Sequence, residues 1–443
     1  MFPKIIDLFS GCGGLALGFE KAGFDIAAGI ELMPEACQTI SYNLDFRYGR
    51  DQTHICGDIT EFQEDCFKSK FGEEGCIVIG GPPCQAYSKV GRAKLRSLGN
   101  DRINTKDARG YLYQDFLRFV YGLDAKAVVM ENVPESISYG KFNIPEIVCT
   151  DLEEHGYNAF WTILNSADYG VPQLRERVFV LAIKKEISEG IPLPVPTNKC
   201  EDNYLTEYQK RFESFSHNVH FKKPNSSDCA EKSWITVGEA ISDLPVLFPT
   251  SNSKYRLVKL NEEMPYRCEA RNDYQKTMRN WYGTESFASS ANAFRNTKRD
   301  FSIFEKMNQG DDYIEASKIA DELFEQEARI FGYQSGSPEY NKLKKKMVPV
   351  YDRDKFERKW LKLEINKPSH TLVAHLSKDT YSHIHPIEPR GISVREAARI
   401  QSFPDDFFFN CSMGDAYKQI GNAVPPLLAF SVAKSVSEIF IEE

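Results

Sequence analysis

The sequence has no long apolar run and no mark of a secreted chain. No stretch approaches the roughly 18 consecutive apolar residues that a membrane-spanning helix needs, so we expect no membrane partner. The first seven residues contain no charged segment followed by a long apolar one, which is the pattern of a signal peptide. With 42% hydrophobic residues the composition is that of ordinary soluble domains, and we expect a cytoplasmic protein.

Paired cysteine motifs are also lacking. The eleven cysteines are odd in number and none are spaced as Cys-x-x-Cys, which argues against a disulfide framework and against a thiolate zinc site. His383 and His385 lie near His370 and His375 in the sequence, but packing and hydrogen bonding are the favoured interpretation. We therefore expect no metal.

A basic surplus is missing as well, since the net charge is −8, but the charges are unevenly distributed. Segments 254–299 and 342–367 each hold ten basic residues, against five and four acidic ones. Between them, 300–341 holds three basic and ten acidic residues. Such blocks indicate either a solvated surface or a phosphate-binding face. The length of 443 residues allows two or three domains.

The chain begins with an apolar strand at 4–9, a glycine-rich turn at 10–14 and a helical pattern at 15–23. This order is typical of the first βαβ unit of a nucleotide-binding fold. No Gly-Lys-Ser/Thr follows, so a triphosphate site is not expected. The glycines alone could equally mark a tight turn.

Two acids follow at the ends of further predicted strands. Glu31 ends the strand 24–31, about 20 residues beyond the turn, where a carboxylate binds ribose hydroxyls in such folds. Asp58 ends a short strand in 54–59, where it could bind the exocyclic amine of an adenine. A salt bridge or a helix cap is the alternative for each acid. Together with the turn they favour a bound nucleoside.

A strand at 76–79 leads into a stiff loop, 80–88, in which two glycines and two prolines precede Cys84. A thiol at the carboxyl end of a parallel strand is a candidate nucleophile, although a lone cysteine is more often structural. The following segment, 85–110, is rich in lysine, arginine and glycine. It is either a loop that closes over a polyanion or a solvated surface loop.

Further polar groups follow the same pattern. Glu131 ends the strand 127–130, and Arg175 and Arg177 precede the strand 178–183, where a strand conformation would direct both to one side. Segment 191–196 has the composition of a domain boundary, and the irregular region beyond it extends to about residue 368. A helical, acidic pattern covers 311–330 within it.

After this region, Ser393 and Glu396 form a predicted capping box, and an apolar helix extends to about residue 440. Six segments, in this order, closely resemble the motif series of the DNA (cytosine-5) methyltransferases. They are 7–14 (Asp-Leu-Phe-Ser-Gly-Cys-Gly-Gly), 81–85 (Gly-Pro-Pro-Cys-Gln), 131–133 (Glu-Asn-Val), 173–177 (Gln-Leu-Arg-Glu-Arg), 395–404 (Arg-Glu-Ala, then Gln-Ser-Phe-Pro) and 421–425 (Gly-Asn-Ala-Val-Pro). The resemblance covers roughly 4–184 and 366–440.

The resemblance implies an α/β fold, a doubly wound Rossmann-like S-adenosylmethionine-dependent methyltransferase domain with a smaller, irregular target-recognition domain. It assigns 1–184 to catalysis, 185–368 to DNA recognition, and 369–443 to a return segment whose last helix packs onto the first domain. S-adenosyl-L-methionine is the implied methyl donor. The implied cofactor-binding residues are Phe9, Gly11, Cys12, Gly14, Glu31, Leu32, Asp58, Ile59, Pro83, Leu112 and Asn422.

The implied chemistry needs four catalytic residues. The Cys84 thiolate adds to carbon 6 of cytosine and makes carbon 5 nucleophilic, while Glu131 supplies a proton or hydrogen bond at N3. Arg177 holds O2 and orients Glu131, and Arg175 positions the substrate near the thiol. The cytosine must be flipped out of the duplex, because it cannot be attacked within the stack.

The implied partner is double-stranded DNA, bound by a monomer in a bacterial or archaeal cytoplasm and thus at the nucleoid. A cognate restriction endonuclease accompanies such an enzyme unless it is an orphan. The alternatives are a transfer RNA cytosine-5 methyltransferase and an inactive DNA-binding relative. The long insert favours DNA, and the presence of Cys84, Glu131, Arg175 and Arg177 favours an active enzyme.

Overall fold

The structure is a computed structural model, and it falls into two compact units. The first unit comprises 1–234 and 423–443, and the second comprises 235–422. The functional division into 1–184, 185–368 and 369–443 stays a prediction, because compactness does not assign a function. The residues that the structure describes are 2–83, 112–138, 142–200, 211–228, 230–247, 258–352, 359–376 and 381–441.

The first unit contains strands β1 to β10 and helices α1 to α5 and α13, and the second contains the remainder. The strands are β1 Lys4–Leu8, β2 Ile26–Glu31, β3 His54–Cys56, β4 Cys76–Gly80, β5 Ala127–Asn132, β6 Tyr157–Asn165, β7 Gln173–Leu174, β8 Glu176–Lys184, β9 Asn198–Lys199, β10 Lys232–Ser233, β11 Met264–Pro265, β12 Ala288–Ser289 and β13 Ser369–His370. The helices are α1 Gly14–Lys21, α2 Pro34–Leu44, α3 Asp65–Lys68, α4 Leu112–Gly122, α5 Ile144–Glu154, α6 Val237–Ile241, α7 Asp273–Arg279, α8 Lys298–Lys306, α9 Tyr313–Ile330, α10 Pro338–Met347, α11 Val394–Ile400, α12 Met413–Asn422 and α13 Pro426–Phe440.

Seven strands of the first unit form one sheet in the order β3-β2-β1-β4-β5-β8-β6. Strands β1 to β5 are parallel to one another, whereas β8 is antiparallel to both β5 and β6. The chain builds outward from β1 to β3 and then returns to place β4 on the other side of β1. The crevice between the carboxyl ends of β1 and β4 is therefore a topological switch point, where such sheets bind ligands. The predicted α/β class is confirmed.

Both faces of this sheet are covered, which explains why its central strands are apolar throughout. All five residues of β4 are buried. On one face, alternate strand residues such as Ile6 and Val78 join Phe116 and Phe119 of α4 in a single core. Helix α1 contacts β2 and β4 and packs along α13. The last helix thus lies on the first domain, as the sequence led us to expect.

The second unit is mainly helical. Its aromatic core includes Phe304, Tyr313, Trp360 and Tyr381, whose rings contact one another mainly edge to face. The predicted acidic helix is α9. The predicted capping box of α11 is also confirmed, because the Ser393 side chain accepts the Glu396 N–H and the Glu396 side chain accepts the Ser393 N–H.

The stretch Met413–Phe440 is long and apolar enough, by length and composition, to cross a membrane. It is two helices rather than one, since α12 ends at Asn422 and α13 starts at Pro426. Fifteen residues of α13 extend about 22 Å, less than the ~30 Å hydrocarbon core of a bilayer. Its apolar residues, including Leu428 and Val432, are buried within the first unit, as is typical of a core helix.

Candidate active site

The described catalytic candidates lie at the carboxyl edge of the sheet. Glu131 is near the end of β5, where it is paired with Phe179 of β8. Because β8 is antiparallel to β5, its first residues lie at the same edge, and Arg177 is the second residue of β8. A residue near the end of one strand and a residue near the start of the next are thereby brought together.

Glu131 and Arg177 form a buried ion pair. Arg177 Nε lies 2.7 Å from Glu131 Oε1, and each side chain is about one-tenth exposed. Burial raises the pKa of Glu131 above its ordinary value, while Arg177 and Arg175 act in the opposite direction. The net direction is upward, so desolvation outweighs the two positive charges. The carboxyl group can therefore hold a proton more readily than an exposed glutamate can.

Arg175 is completely buried. It lies between β7 and β8 rather than within a strand, so the prediction that a strand conformation orients both arginines is wrong for Arg175. Its Nη2 donates a hydrogen bond of 3.0 Å to the carbonyl of Ala423, and its own carbonyl accepts the N–H and hydroxyl of Ser166. Burial and the charge of Arg177 lower the pKa of Arg175, whereas Glu131 raises it, and a charged Arg175 in turn favours the ionised form of Glu131.

The loop after β4 approaches the same carboxyl group. A Cβ built on Gly81 would lie 2.9 Å from Glu131 Oε2, so any larger residue there would require the carboxyl group to shift. Asn132 Nδ2 donates to the Pro82 carbonyl at 3.3 Å and fastens the loop to β5. Pro83 is half-buried, and Cys84 with segment 85–110 lies outside the described residues. Sequence reasoning placed Gly81 in a stiff loop but did not predict its approach to Glu131, and it assigned no role to Asn132.

The glycine-rich turn after β1 has an unusual backbone. Phe9, Gly11 and Gly13 have φ values of 58°, 56° and 90°, in the left-handed region. Glu31, at the end of β2, fixes the turn: its Oε2 accepts the Gly11 N–H and its Oε1 accepts the Met33 N–H, both at 2.7 Å. The predicted turn and the predicted Glu31 carboxylate are therefore joined directly by a hydrogen bond.

This turn has space for a ligand. Among the residues that the structure describes, none has an atom within 4 Å of a Cβ built on Gly11, so the turn is open to them on that side. Cys12 and Gly14 are buried beneath it, whereas Leu32, next to Glu31, is 59% exposed. An open glycine, a fixed carboxylate and an exposed apolar side chain at a switch point suit the nucleoside and amino-acid parts of S-adenosylmethionine.

Asp58 is placed differently from the prediction. The strand β3 ends at Cys56, and Asp58 caps the short 3-10 helix Ile59–Glu61. Its Oδ1 accepts hydrogen bonds from the Thr60 N–H at 3.0 Å and the Thr60 hydroxyl at 2.8 Å. The helix-cap alternative for this acid is therefore seen, and the adenine contact stays a prediction.

The remaining cofactor candidates are divided between the two units. Ile59 is buried in the core of the first unit, and Phe9 and Leu112 are partly buried against the same core. Asn422 is the last residue of α12 and belongs to the second unit. Its role at the cofactor stays a prediction.

The histidines of the second unit have ordinary partners. The rings of His370 and His383 stack with centroids 3.9 Å apart, and His385 Nδ1 accepts the Glu388 N–H at 2.8 Å. Within the described ranges, no group of three or more histidine, cysteine, aspartate or glutamate residues is arranged to hold a metal ion.

The fold and this edge define a Rossmann-like α/β enzyme of the nucleotide-binding class. The sequence model of one family, described as C-5 cytosine-specific DNA methylase, matches residues 3–438. The chain therefore belongs to this family, and it is a DNA (cytosine-5-)-methyltransferase. The family implies S-adenosylmethionine as methyl donor and DNA as substrate.

Curated relatives agree with this assignment. A protein of Oceanobacillus iheyensis that is named as a type II methyltransferase is 51% identical, over 98% of this chain and 95% of its own length. The type II methyltransferase M.DdeI of Desulfomicrobium norvegicum is 31% identical, over 99% and 89%. A crystal structure described as a DNA modification methyltransferase encoded within an E. coli prophage matches 99% of both chains, with a TM-score of 0.64 and 22% identity. That structure supports the fold.

Proposed function

We propose that this protein methylates carbon 5 of a flipped-out cytosine in a specific duplex DNA sequence through a covalent adduct between Cys84 and carbon 6. The observation that carries the proposal is the buried pair of Glu131 and Arg177, which borders the loop that leads to Cys84. A carboxyl group of raised pKa beside a fixed guanidinium suits a base that must be protonated at N3 and held at O2.

The reaction begins when the Cys84 sulfur forms a bond to carbon 6 and the ring electrons shift toward N3, which takes a proton or hydrogen bond from Glu131. S-adenosyl-L-methionine, when bound, supplies the electrophilic methyl group. A base then removes the proton from carbon 5, the carbon 5–carbon 6 double bond re-forms, and the bond to sulfur breaks. N3 returns its proton to Glu131, so that the thiolate and the carboxyl group are both regenerated. Carbon 5 has exchanged its proton for the methyl group, whose bond to the sulfonium sulfur would break as the new carbon–carbon bond forms, leaving S-adenosylhomocysteine.

The surrounding residues prepare this chemistry. Arg177 donates to O2 of the cytosine while it orients Glu131, and Arg175 is anchored on the Ala423 carbonyl, which keeps its charge fixed near the reacting ring. Asn132 keeps the loop before Cys84 close to β5. Preorganised groups of this kind lower the barrier because they need no rearrangement during the reaction.

The cofactor would lie over the glycine-rich turn, with Glu31 on its ribose and Leu32 against its adenine. We assign further cofactor contacts to residues around the turn, to residues before and after Cys84 in the sequence, and to one residue near the end of the chain. These residues are Phe9, Gly11, Cys12, Gly14, Asp58, Ile59, Pro83, Leu112 and Asn422. The open space at Gly11 and the fixed Glu31 carboxylate support this placement.

Target recognition belongs, in this proposal, to 185–368, and the lysines and arginines of 85–110 supply positive charge for the DNA phosphates. The enzyme acts as a cytoplasmic monomer at the nucleoid, as the modification partner of a restriction endonuclease. The type II methyltransferase names of its relatives support this last assignment.

Trapping tests the central claim. Duplex DNA carrying 5-fluorocytosine at the target should form a stable adduct, because the final step requires a proton to leave carbon 5. Cys84→Ser should form no adduct and transfer no methyl group, yet still bind S-adenosylmethionine. An adduct formed by Cys84→Ser would exclude Cys84 as the nucleophile, and trapping of transfer RNA in place of DNA would exclude the DNA substrate. Bisulfite sequencing of DNA from expressing cells identifies the target beforehand.

A further inference from the structure

Helix α10 exposes a row of lysines. It runs from Pro338 to Met347, and none of its residues is buried. Lys342, Lys345 and Lys346 are all exposed, and no ion pair joins them to another described residue. Three positive charges within two turns repel one another, and an anionic partner would relieve that repulsion.

The contacts of α10 with α9 fix which face the lysines occupy. The ring of Tyr340 lies 4.7 Å from that of Phe324, and the Tyr340 hydroxyl donates to Glu325. Lys344 Nζ lies 5.8 Å from the centre of the Phe324 ring. Positions 340 and 344 therefore face α9.

At 100° per residue, positions 342, 345 and 346 fall together on the opposite side of α10. Glu339 is the one acid in the helix; because it precedes Lys342 by three residues, it lies on the same side and offsets part of this charge. Five of the ten acids of 300–341 lie on α9, where Glu325 is engaged with Tyr340. The side of α10 away from α9 thus carries three lysines against one glutamate, a surplus of two positive charges.

We propose that the outward face of α10, formed by Lys342, Lys345 and Lys346, binds phosphates of the DNA duplex independently of its sequence. The inference rests on the DNA substrate of the proposed function and adds a particular contact surface to it. Lys342 and Lys346 are about 6 Å apart along the helix, and a duplex presents one charge per roughly 1.7 Å, so the three ammonium groups can meet different phosphates. Flexible lysine side chains suit contacts that need charge rather than base-edge geometry.

If the lysines only stabilise α10, their replacement should have a different effect. Lysines in the last turn also offset the helix dipole, and in that role they would affect helix stability but not DNA binding. The dependence of affinity on salt separates the two roles, because each phosphate contact releases condensed counterions.

The test measures binding of a fluorescent 40-base-pair duplex of arbitrary sequence to the full chain from 50 to 200 mM salt. The triple variant K342Q/K345Q/K346Q should lower the slope of log K against log salt by about 2 to 3, and weaken binding on the order of 10- to 500-fold at 100 mM salt. The variant K344Q changes the face toward α9 and should keep the slope. The variant K68Q/K70Q/K185Q removes the same charge from the first unit and should also keep it.

An unchanged slope in the α10 triple variant would overturn the proposal, as would equal losses in both triple variants. Circular dichroism checks that α10 stays folded. Methyl transfer to unmethylated genomic DNA by the wild-type protein is measured alongside. Transfer with an unchanged slope would reject only the lysine surface, whereas absence of transfer would reject the proposed function itself.

Discussion

Glu131 is a carboxyl group surrounded by conditions that oppose each other. Burial disfavours its charge, and two arginines favour it. A flipped cytosine in contact with Glu131 would exclude the remaining water and add a proton acceptor at N3. Both effects favour the protonated form of Glu131. The pair with Arg177 therefore sets how easily this acid gives up its proton.

This balance of burial and charge at Glu131 predicts that kcat/KM depends on pH. Because the pKa of Glu131 is raised, its proton is present at low pH and lost as pH rises through that pKa, and kcat/KM should fall with it. Glu131→Gln cannot ionise, so its kcat/KM should be about 10²- to 10³-fold lower without that alkaline decline. The exposed Glu154→Gln is the control and should match the wild type. If Glu131→Gln showed the same decline in kcat/KM at high pH, the decline would have to be caused by another group.

A second buried acid affects stability. Asp168 accepts a 2.9 Å hydrogen bond from Trp234 Nε1, and burial raises its pKa to about 7. The stability that its neutral form contributes is present below pH 4 and is lost as pH rises to about 7. Asp168→Asn keeps an acceptor for Trp234 and cannot ionise.

We therefore expect Asp168→Asn to be more stable than the wild type by about 2–4 kcal/mol at pH 8, with the difference shrinking toward pH 4. Thermal unfolding at several pH values measures this difference. A difference that does not change with pH would show that Asp168 does not titrate in this range.

At the scale of elements, the sequence predicted best where patterns were local. The strands before Glu31 and Glu131 and the capping box of α11 follow from apolar runs and from fixed spacings. The position of Asp58 was harder to predict, because the same residue types occur at strand ends and at helix caps. Only the backbone conformation distinguishes the two. The approach of Gly81 to Glu131 depends on contacts across the sheet and has no local signal.

The contact between α1 and α13 also joins residues that are far apart in the sequence, so no local pattern predicts it. A Cβ on Gly18 would lie 2.4 Å from Ala429 Cβ and 2.5 Å from the Phe430 backbone nitrogen. Helix propensity alone predicts that Gly18→Ala stabilises the protein by about 1 kcal/mol. The packing predicts the reverse, a loss of about 1–3 kcal/mol, because a backbone atom cannot move aside cheaply.

Chemical denaturation measures the effect of Gly18→Ala. Gly190→Ala is the control, since a Cβ there would meet only Lys222 Nζ at 3.8 Å, and we expect a change within about 0.5 kcal/mol. Stabilisation by Gly18→Ala would mean that α1 and α13 are less closely packed than described.

At the scale of the whole molecule, the first unit is made of two distant stretches of sequence. Residues 423–443 complete it, and α13 supplies buried residues such as Leu428, Val432 and Val436. The Ala423 carbonyl also anchors Arg175. Neither contribution is visible from the sequence of 1–234 alone.

A chain ending at Asn422 should therefore lose cooperative unfolding of the first unit and bind no S-adenosylmethionine. The expected loss is large, because a whole buried helix face is removed. Limited proteolysis and calorimetry measure it, with a chain ending at Ile441 as the control. A shortened chain that keeps the calorimetric transition of the first unit would contradict this account.

The position of α13 also has a consequence for synthesis on the ribosome. The roughly 190 residues of the second unit are made after Trp234 and before α13, which takes about 10 to 40 s at bacterial elongation rates. During that interval the first unit lacks its last helix. A nascent chain is thus unable to modify the chromosome until the segment assigned to target choice has been translated, so activity and sequence selection become available together.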